Sequence, residues 1–493
     1  MTEQLSFWKG PWARFLLAAL IVFGLRIHTL EQIVVDWDES VYLVVAQDLV
    51  DGGTLYRTAW DHKGPLLYAV LSPVVALADG SMVPVRLFAT TWLLLTMLFV
   101  ELIARRLVPS QVSFAAPLLY GVFFSVPVFG GLAANGELFM MMPACAAVWA
   151  GLVWMDARRS RWLLLSGVLT GAAFLFKPTA VLSVAVVPLL VLSRDVGHGG
   201  GERLRRVCID GAWFGAGVLA PLAGALLVFT AAGNLGDALY ATVVFNRAYV
   251  AGTPFLESWQ QLSAFFGWAV LGDPFTFAAV VGGVFLVLRR RSDHPWPDWT
   301  GLFLAGLTLG SLAGVCLGRN LYFHYYLQMA LPIALVVTVA AAGLAAPRGV
   351  WRKLAPALLL LAALSAFSPH RSGPEGLTRT PEEDRTLRVV AGYLAQNKAP
   401  DDTLFVLGGQ PVLHYLTGMP SPTPYVFWLF HADRWDAILG SRGATLEAFA
   451  SSPPDWFVFR PHDVRVPELE AFMMRSYQPV AEFGDTRIAR RVP

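Results

Sequence analysis

A polytopic α-helical membrane protein with a small α/β domain at its C-terminal end is the fold class this sequence predicts, and three observations carry it. Hydrophobic residues make up 56% of the 493 positions and charged residues only 15%, short of the roughly 25% that wets the surface of a soluble domain. About eleven apolar stretches approach the roughly 20 residues needed to cross a bilayer. Past about Ser368 the composition turns charged and Pro-rich. A net charge of +2, from 37 Lys and Arg against 35 Asp and Glu, provides no basic field for nucleic acid.

The expected spans are approximately 12–30, 82–104, 110–132, 136–155, 162–176, 179–193, 208–232, 262–288, 300–317, 325–346 and 353–368. The first follows Lys9 and lacks a small-residue cleavage site, so it reads as an anchor and not as a removable signal. The pair flanking Lys177-Pro178-Thr179 is short for a crossing, as broken or tilted helices around a cavity would be. Alternate loops carry the basic clusters Arg105-Arg106, Arg158 to Arg161, Arg194 to Arg206, Arg289 to Arg291 and Arg348 to Lys353, which predicts that these loops and the N-terminus are cytoplasmic. Were Pro65 to Ala78 a full crossing, every later loop would invert, so an interfacial or re-entrant helix is expected there. The tail then lies outside the cytoplasm.

Two domains are expected, 1–368 in the membrane and 369–493 as the α/β unit. The tail should hold a helix from Glu382 to Asn397, a strand from Thr403 to Leu407, a short helix near Pro411 to Leu416 and a strand from Trp456 to Phe459. Cys145, Cys208 and Cys316 sit in or beside apolar runs and read as packing residues, and no repeat is visible.

Polar chemistry concentrates in the first outer loop, which contains Asp36, Asp38, Glu39 and Tyr42, then Asp61-His62-Lys63-Gly64-Pro65 and Tyr68. Val41, Val44, Val45 and Leu49 recur at helical spacing, predicting a surface helix with Asp38 at its N-cap. Capping alone is one reading of Asp38, and a functional carboxylate is the other, because one cap does not need three acids within four residues. Lys63 stands just before Pro65, the expected first residue of the next helix, where the helix dipole disfavours a cation unless an anion is bound; the alternative is a lysine reaching for the interface. Later loops add Glu137 beside Asn135, Lys177, Arg247 after Asn246, and Arg319 with His324. The two Arg are candidates for holding phosphate or a sugar hydroxyl, or else interface anchors. His62 and His324 lack metal-ligand spacing, and no phosphate-binding loop, nucleophile elbow or zinc motif stands in a fitting context.

The run Trp37-Asp38-Glu39 with Tyr42, then Gly52-Gly53 and Tyr56, then Asp61-His62-Lys63-Gly64-Pro65-Leu66-Leu67-Tyr68, resembles the first loop of the GT-C glycosyltransferases. The similarity is to bacterial members related to protein O-mannosyltransferases and lipid A aminoarabinose transferases, with Gly64 in place of a proline. It extends loosely through Val85-Arg86-Leu87, Glu137, Lys177-Pro178 and His324-Tyr325-Tyr326. The resemblance implies transfer of a sugar from a polyprenyl-phosphate donor to a lipid, glycan or protein acceptor, with inversion, on the outer face of a bacterial inner membrane. It implies Asp38 as base, Glu39 and Glu137 as supporting carboxylates and Lys63 on the carrier phosphate, while Asp36 is an extra acid competing for the base role. His62, Arg247 and Arg319 are further phosphate candidates, and Tyr42, Tyr68, Lys177 and His324 further cavity candidates. No cofactor is expected to be required, with a divalent ion as the alternative. A transporter or flippase of a lipid-linked sugar is the alternative function, weakened by the lack of paired repeats.

Overall fold

The computed structural model describes residues 10–194, 200–252, 256–257, 259–263, 297–345, 381–408, 410–460 and 466–492. Among them, six helices are long and apolar enough to cross a membrane: Trp12–Thr29, Met82–Leu107, Gly136–Ala157, Gly200–Ala231, Thr300–Leu317 and Phe323–Gly343. Shorter apolar helices run over Pro65–Ala78, Ser160–Phe176 and Ala180–Ser193. Thus Lys177-Pro178-Thr179 does separate two helices below full crossing length. The expected spans near 262–288 and 353–368, the basic clusters at 289–291 and 348–353 and the boundary at 368–369 lie outside the described residues.

One expected span is shorter than its hydropathy suggested. The 110–132 region forms a helix only over Ala115–Phe123, then a 3-10 turn at Pro127–Phe129. Pro127 cannot continue the helical pairing, Gly130 takes φ +63, and Gly131 presses so close to Phe124 that an added Cβ would meet its carbonyl oxygen at 2.5 Å. The buried Arg26 satisfies the freed backbone: its guanidinium donates to the carbonyls of Phe124 (3.0 Å), Gly131 (2.8 Å) and Leu132 (3.1 Å). Irregular backbone at membrane depth persists only with such partners.

The chain forms two compact units. The first comprises Met1–His28, Ala89–Ala225 and Thr253–Leu377. Within it, Ser160–Phe176 and Gly200–Ala231 touch backbone to backbone at Gly167 and Gly217, where an added Cβ would lie 2.1 Å from the Phe214 carbonyl and 2.3 Å from that of Leu164 respectively. Small residues permit this close approach in lipid, where packing replaces the hydrophobic drive between helices.

The second unit comprises Thr29–Phe88, Leu226–Gly252 and Thr378–Pro493. Its four-stranded sheet has the order β1-β2-β4-β3, with β1 at Leu404–Leu407, β2 at Trp456–Phe459, β3 at Tyr477–Phe483 and β4 at Thr486–Arg491. β1 and β2 are parallel, and the helices Val412–Thr417, Asp433–Leu439 and Ser441–Ser451 lie in the crossover between them, as parallel pairing requires. β3 and β4 form an antiparallel hairpin turning at Gly484, φ +61. Phe405, Phe449, Phe457, Leu469 and Tyr477 pack as its core. The loop after the first span is fastened to this tail: Ile33 N–H donates to Asp384 (2.6 Å), Ser40 to Gln410 (3.2 Å) and Trp60 N–H to the Pro424 carbonyl (2.9 Å). The Trp60 ring sits edge-on to Phe245 and Phe430, at 4.8 and 4.9 Å between centroids.

Candidate active site

In the second unit, the loop helix runs from Trp37 to Val50 and starts two residues earlier than a cap at Asp38 would place it. Asp36 is the N-cap: it is extended (φ −136) and its carboxylate accepts from the Asp38 N–H at 3.1 Å. The extra acid therefore carries the capping role, and Asp38 is released from it. Glu39 is buried, accepts from the Val35 N–H at 3.3 Å and pairs with the buried Arg86 guanidinium. Arg86 also donates to the carbonyls of Gln32 (3.2 Å) and Ile33 (3.4 Å). This pair holds the chain entering the helix.

Asp38 faces differently. Its side chain is 28% exposed, accepts from the Tyr42 hydroxyl one turn on at 3.0 Å, and lies 3.5 Å from the Lys63 ammonium. The cation is itself held in place. Tyr56, at φ +67, donates its hydroxyl to the Lys63 carbonyl at 2.8 Å, and the Lys63 ammonium sits 3.0 Å from His62 Nε2. His62 Nδ1 lies 3.2 Å from the Asp61 carboxylate, which also accepts from the Tyr68 hydroxyl at 2.6 Å. That geometry assigns the ring proton to Nδ1 and leaves Nε2 as an acceptor for Lys63. Asn246 donates to the His62 carbonyl at 2.8 Å, and the Tyr249 ring stacks on the imidazole at 5.2 Å. Arg247, between them in sequence, is exposed.

Charges in this chain follow from burial and neighbours. Burial alone would raise the Asp61 carboxyl, but the hydrogen bond and charge of His62, the Lys63 ammonium and the Tyr68 hydroxyl hold it below the usual carboxylate range. For His62, burial and then Lys63 lower the imidazole, outweighing the opposing pull of Asp61 and Asp38. The imidazole is therefore neutral at pH 7.

The first unit holds a separate cluster. Glu137 is buried in the first turn of Gly136–Ala157, whose N-cap is Asn135, accepting from the Leu138 N–H at 2.9 Å. Lys177, at the C-terminal end of Ser160–Phe176, pairs with Glu137 and stands 4.1 Å above the Tyr325 ring. His324 Nε2 is 4.0 Å from the same carboxylate. Arg319 is exposed in the turn after Thr300–Leu317, at φ +53. Among the described residues no group of three or more His, Cys, Asp or Glu could hold a metal ion.

The family model described as dolichyl-phosphate-mannose-protein mannosyltransferase matches residues 62–198. ArnT from Cupriavidus metallidurans, in a crystal structure bound to undecaprenyl phosphate, is similar over 97% of this chain and 98% of its own, with TM-score 0.62 and 12% identity. Its apo structure is similar over 97% of both chains, at TM-score 0.61 and 14% identity. The fold is that of the GT-C glycosyltransferases. No curated protein matches the chain in sequence.

On this GT-C fold, His62 and Lys63 open the segment matched by the family model, which also contains Arg86, Glu137 and Lys177. Asp61 and Arg86 are the residues whose roles the sequence left unassigned. A signal existed for Arg86, a lone base inside an apolar stretch; Asp61 lies before the Pro65–Ala78 helix, and its contact with Tyr68 depends on how the loop folds back, which spacing does not reveal.

Proposed function

We propose that the chain is a glycosyltransferase that moves a sugar from a polyprenyl-phosphate donor to an acceptor outside the cytoplasm, with inversion at the anomeric carbon. The single observation carrying this reading is the partly exposed Asp38 carboxylate beside the Lys63 ammonium at 3.5 Å: a base and a phosphate-binding cation occupy one site. The acceptor hydroxyl attacks the anomeric carbon, its proton passes to Asp38, and the bond to the carrier phosphate breaks with its electron pair on the phosphate oxygen. One displacement inverts the centre. Lys63 neutralises the charge growing on the departing phosphate, and neutral His62 accepts from Lys63 without adding a competing charge. Undecaprenyl phosphate in the similar ArnT structure supports a polyprenyl-phosphate lipid. The Glu137–Lys177–His324 cluster supports a second polar role, since a buried carboxylate kept for packing alone is costly in lipid.

Incubating the purified protein with labelled polyprenyl-phosphate sugars should release sugar from the carrier. A transporter would leave every carrier glycosylated. Release should survive EDTA, because a monophosphate leaves without the diphosphate that calls for a divalent ion; complete loss restored by one ion would overturn the metal-free scheme. Lys63→Ala should weaken donor binding by about one to two orders of magnitude, as loss of a charge-assisted contact does. Unchanged binding in a folded variant would return Lys63 to an interface anchor. Reporter fusions at Gly200 and Gly440 should report opposite sides of the membrane, following the alternation of Arg clusters.

A further inference from the structure

Within the second unit, the His62 imidazole lies against a column of rings that ends in the C-terminal tail. Tyr249, on the helix Asn246–Ala251, stacks on His62 with centroids 5.2 Å apart and planes at 29°. Trp435, on the helix Asp433–Leu439, stacks on Tyr249 in turn, at 4.5 Å and 15°. Phe245 touches both ends, 5.2 Å from His62 and 5.9 Å from Trp435. The tail anchors the column. Trp435 is buried, its N–H donates to the Ala432 carbonyl at 2.9 Å, and the Arg434 guanidinium stands over its indole, 4.6 Å from the centroid. The Tyr240 hydroxyl donates to the Ile438 carbonyl at 3.0 Å, which ties this helix to the segment carrying Tyr249.

The transfer scheme uses none of these rings, and what they do follows from the imidazole. Lys63 sits 3.0 Å from His62 Nε2, whose lone pair lies in the plane of the ring. The torsion that turns a histidine ring is broad, so the backbone leaves the direction of that lone pair open. Asp61, 3.2 Å from Nδ1, restrains one edge; a stacked ring restrains the plane, and an aliphatic side chain of similar volume would not. The ammonium also has a second place to go, the Asp38 carboxylate at 3.5 Å. Released from Nε2, Lys63 closes on Asp38, which occupies the base and withdraws the cation from the phosphate. The rings also exclude water from His62. Burial is the largest cause that lowers this imidazole, followed by Lys63 and against Asp61 and Asp38, the charged groups that act on it.

We propose that Trp435 is a positioning residue for Lys63: acting through Tyr249, it fixes the plane of His62 and with it the ammonium that meets the carrier phosphate. The hold on His62 is independent of the transferase reading, and only the carrier phosphate as the partner of Lys63 rests on that reading.

The full-length protein in detergent micelles is titrated with undecaprenyl phosphate by calorimetry. Trp435→Leu should weaken binding about three- to tenfold, the factor an aromatic pair contributes, and Trp435→Phe about twofold or less, because a ring remains. In a Lys63→Ala background Trp435→Leu should change nothing further, since an effect transmitted through Lys63 disappears with it. A tryptophan that only supports the fold would lower the thermal midpoint and the fraction of competent protein, and leave the affinity of the remainder unchanged. That result, or an equal loss in both backgrounds, overturns the proposal. A second readout needs no lipid. The Cε1–H resonance of His62, assigned by its absence from His62→Gln, should titrate at higher pH in Trp435→Leu and Tyr249→Leu than in the parent, because hydration relieves the burial; an unmoved titration overturns the proposal. If Trp435→Leu does not fold, Tyr249→Leu, at a half-buried position, carries both readouts. If the parent binds no undecaprenyl phosphate, the transferase reading fails and the His62 titration alone decides the column.

Discussion

Asp38→Asn is expected to fold normally and to turn over at least about a hundredfold more slowly, the contribution of a positioned base. The attacking hydroxyl becomes acidic as the glycosidic bond forms, so the carboxylate gains most in the transition state and its loss acts on kcat. The variant is discriminating because Asp36, and not Asp38, caps the helix. Asparagine keeps an oxygen for the Tyr42 hydroxyl, and the lost Lys63 contact is partly exposed, so stability should change by at most about 1 kcal/mol. Single-turnover kinetics with labelled donor, beside a thermal melt, read both quantities. If Asp38→Asn stays active while Asp36→Asn is dead and folded, the base is Asp36. If both stay active, the mechanism built on this loop is wrong.

Arg86→Met should destabilise the protein by about 3 to 5 kcal/mol, the effect of removing one member of a buried ion pair. Glu39 would be left as an uncompensated buried charge, and the Gln32 and Ile33 carbonyls would lose a donor. Replacing Glu39 by Met as well should recover much of that loss, since an apolar pair of similar volume removes the stranded charge. Chemical unfolding of the single and double variants in mixed micelles checks this. A single variant as stable as the parent would show that the pair does not hold the loop. The same geometry means that inactivity of Glu39→Gln would report on folding before it reported on catalysis.

Much of the architecture was legible because local chemistry decides it. Pro65 starts the short first-loop helix, and Asp79, at φ +46, ends it at the expected residue. Short continuous apolar runs marked β1 and β2, but β3 and β4 were not read: β3 is mostly exposed and carries Pro479, which suits an edge strand and leaves neither an apolar run nor an alternation to reveal it. The cap was misplaced by two residues because Asp36, Asp38 and Glu39 are all chemically able to serve. The choice depends on where the chain leaves the extended conformation, and there Trp37 packs near Phe427, from the far end of the sequence. For the site, the roles given to Asp38 and Lys63 came from the family resemblance, while their approach at 3.5 Å needed coordinates. The Asp61–His62–Lys63 chain needed coordinates, because burial and ring orientation set its charges.

The fastening of the Asp38 loop to the tail has a consequence in time. Ile33 waits for Asp384, 351 positions later, and Ser40 for Gln410, 370 positions later. At the usual 5 to 20 residues per second of synthesis, that delay is about 20 to 70 s. Throughout it the Asp38 loop emerges from the ribosome without the partners that order it. A nascent chain stalled before residue 384 would carry the acids and the lysine but not their geometry, so competence arrives only with the last quarter of the polypeptide.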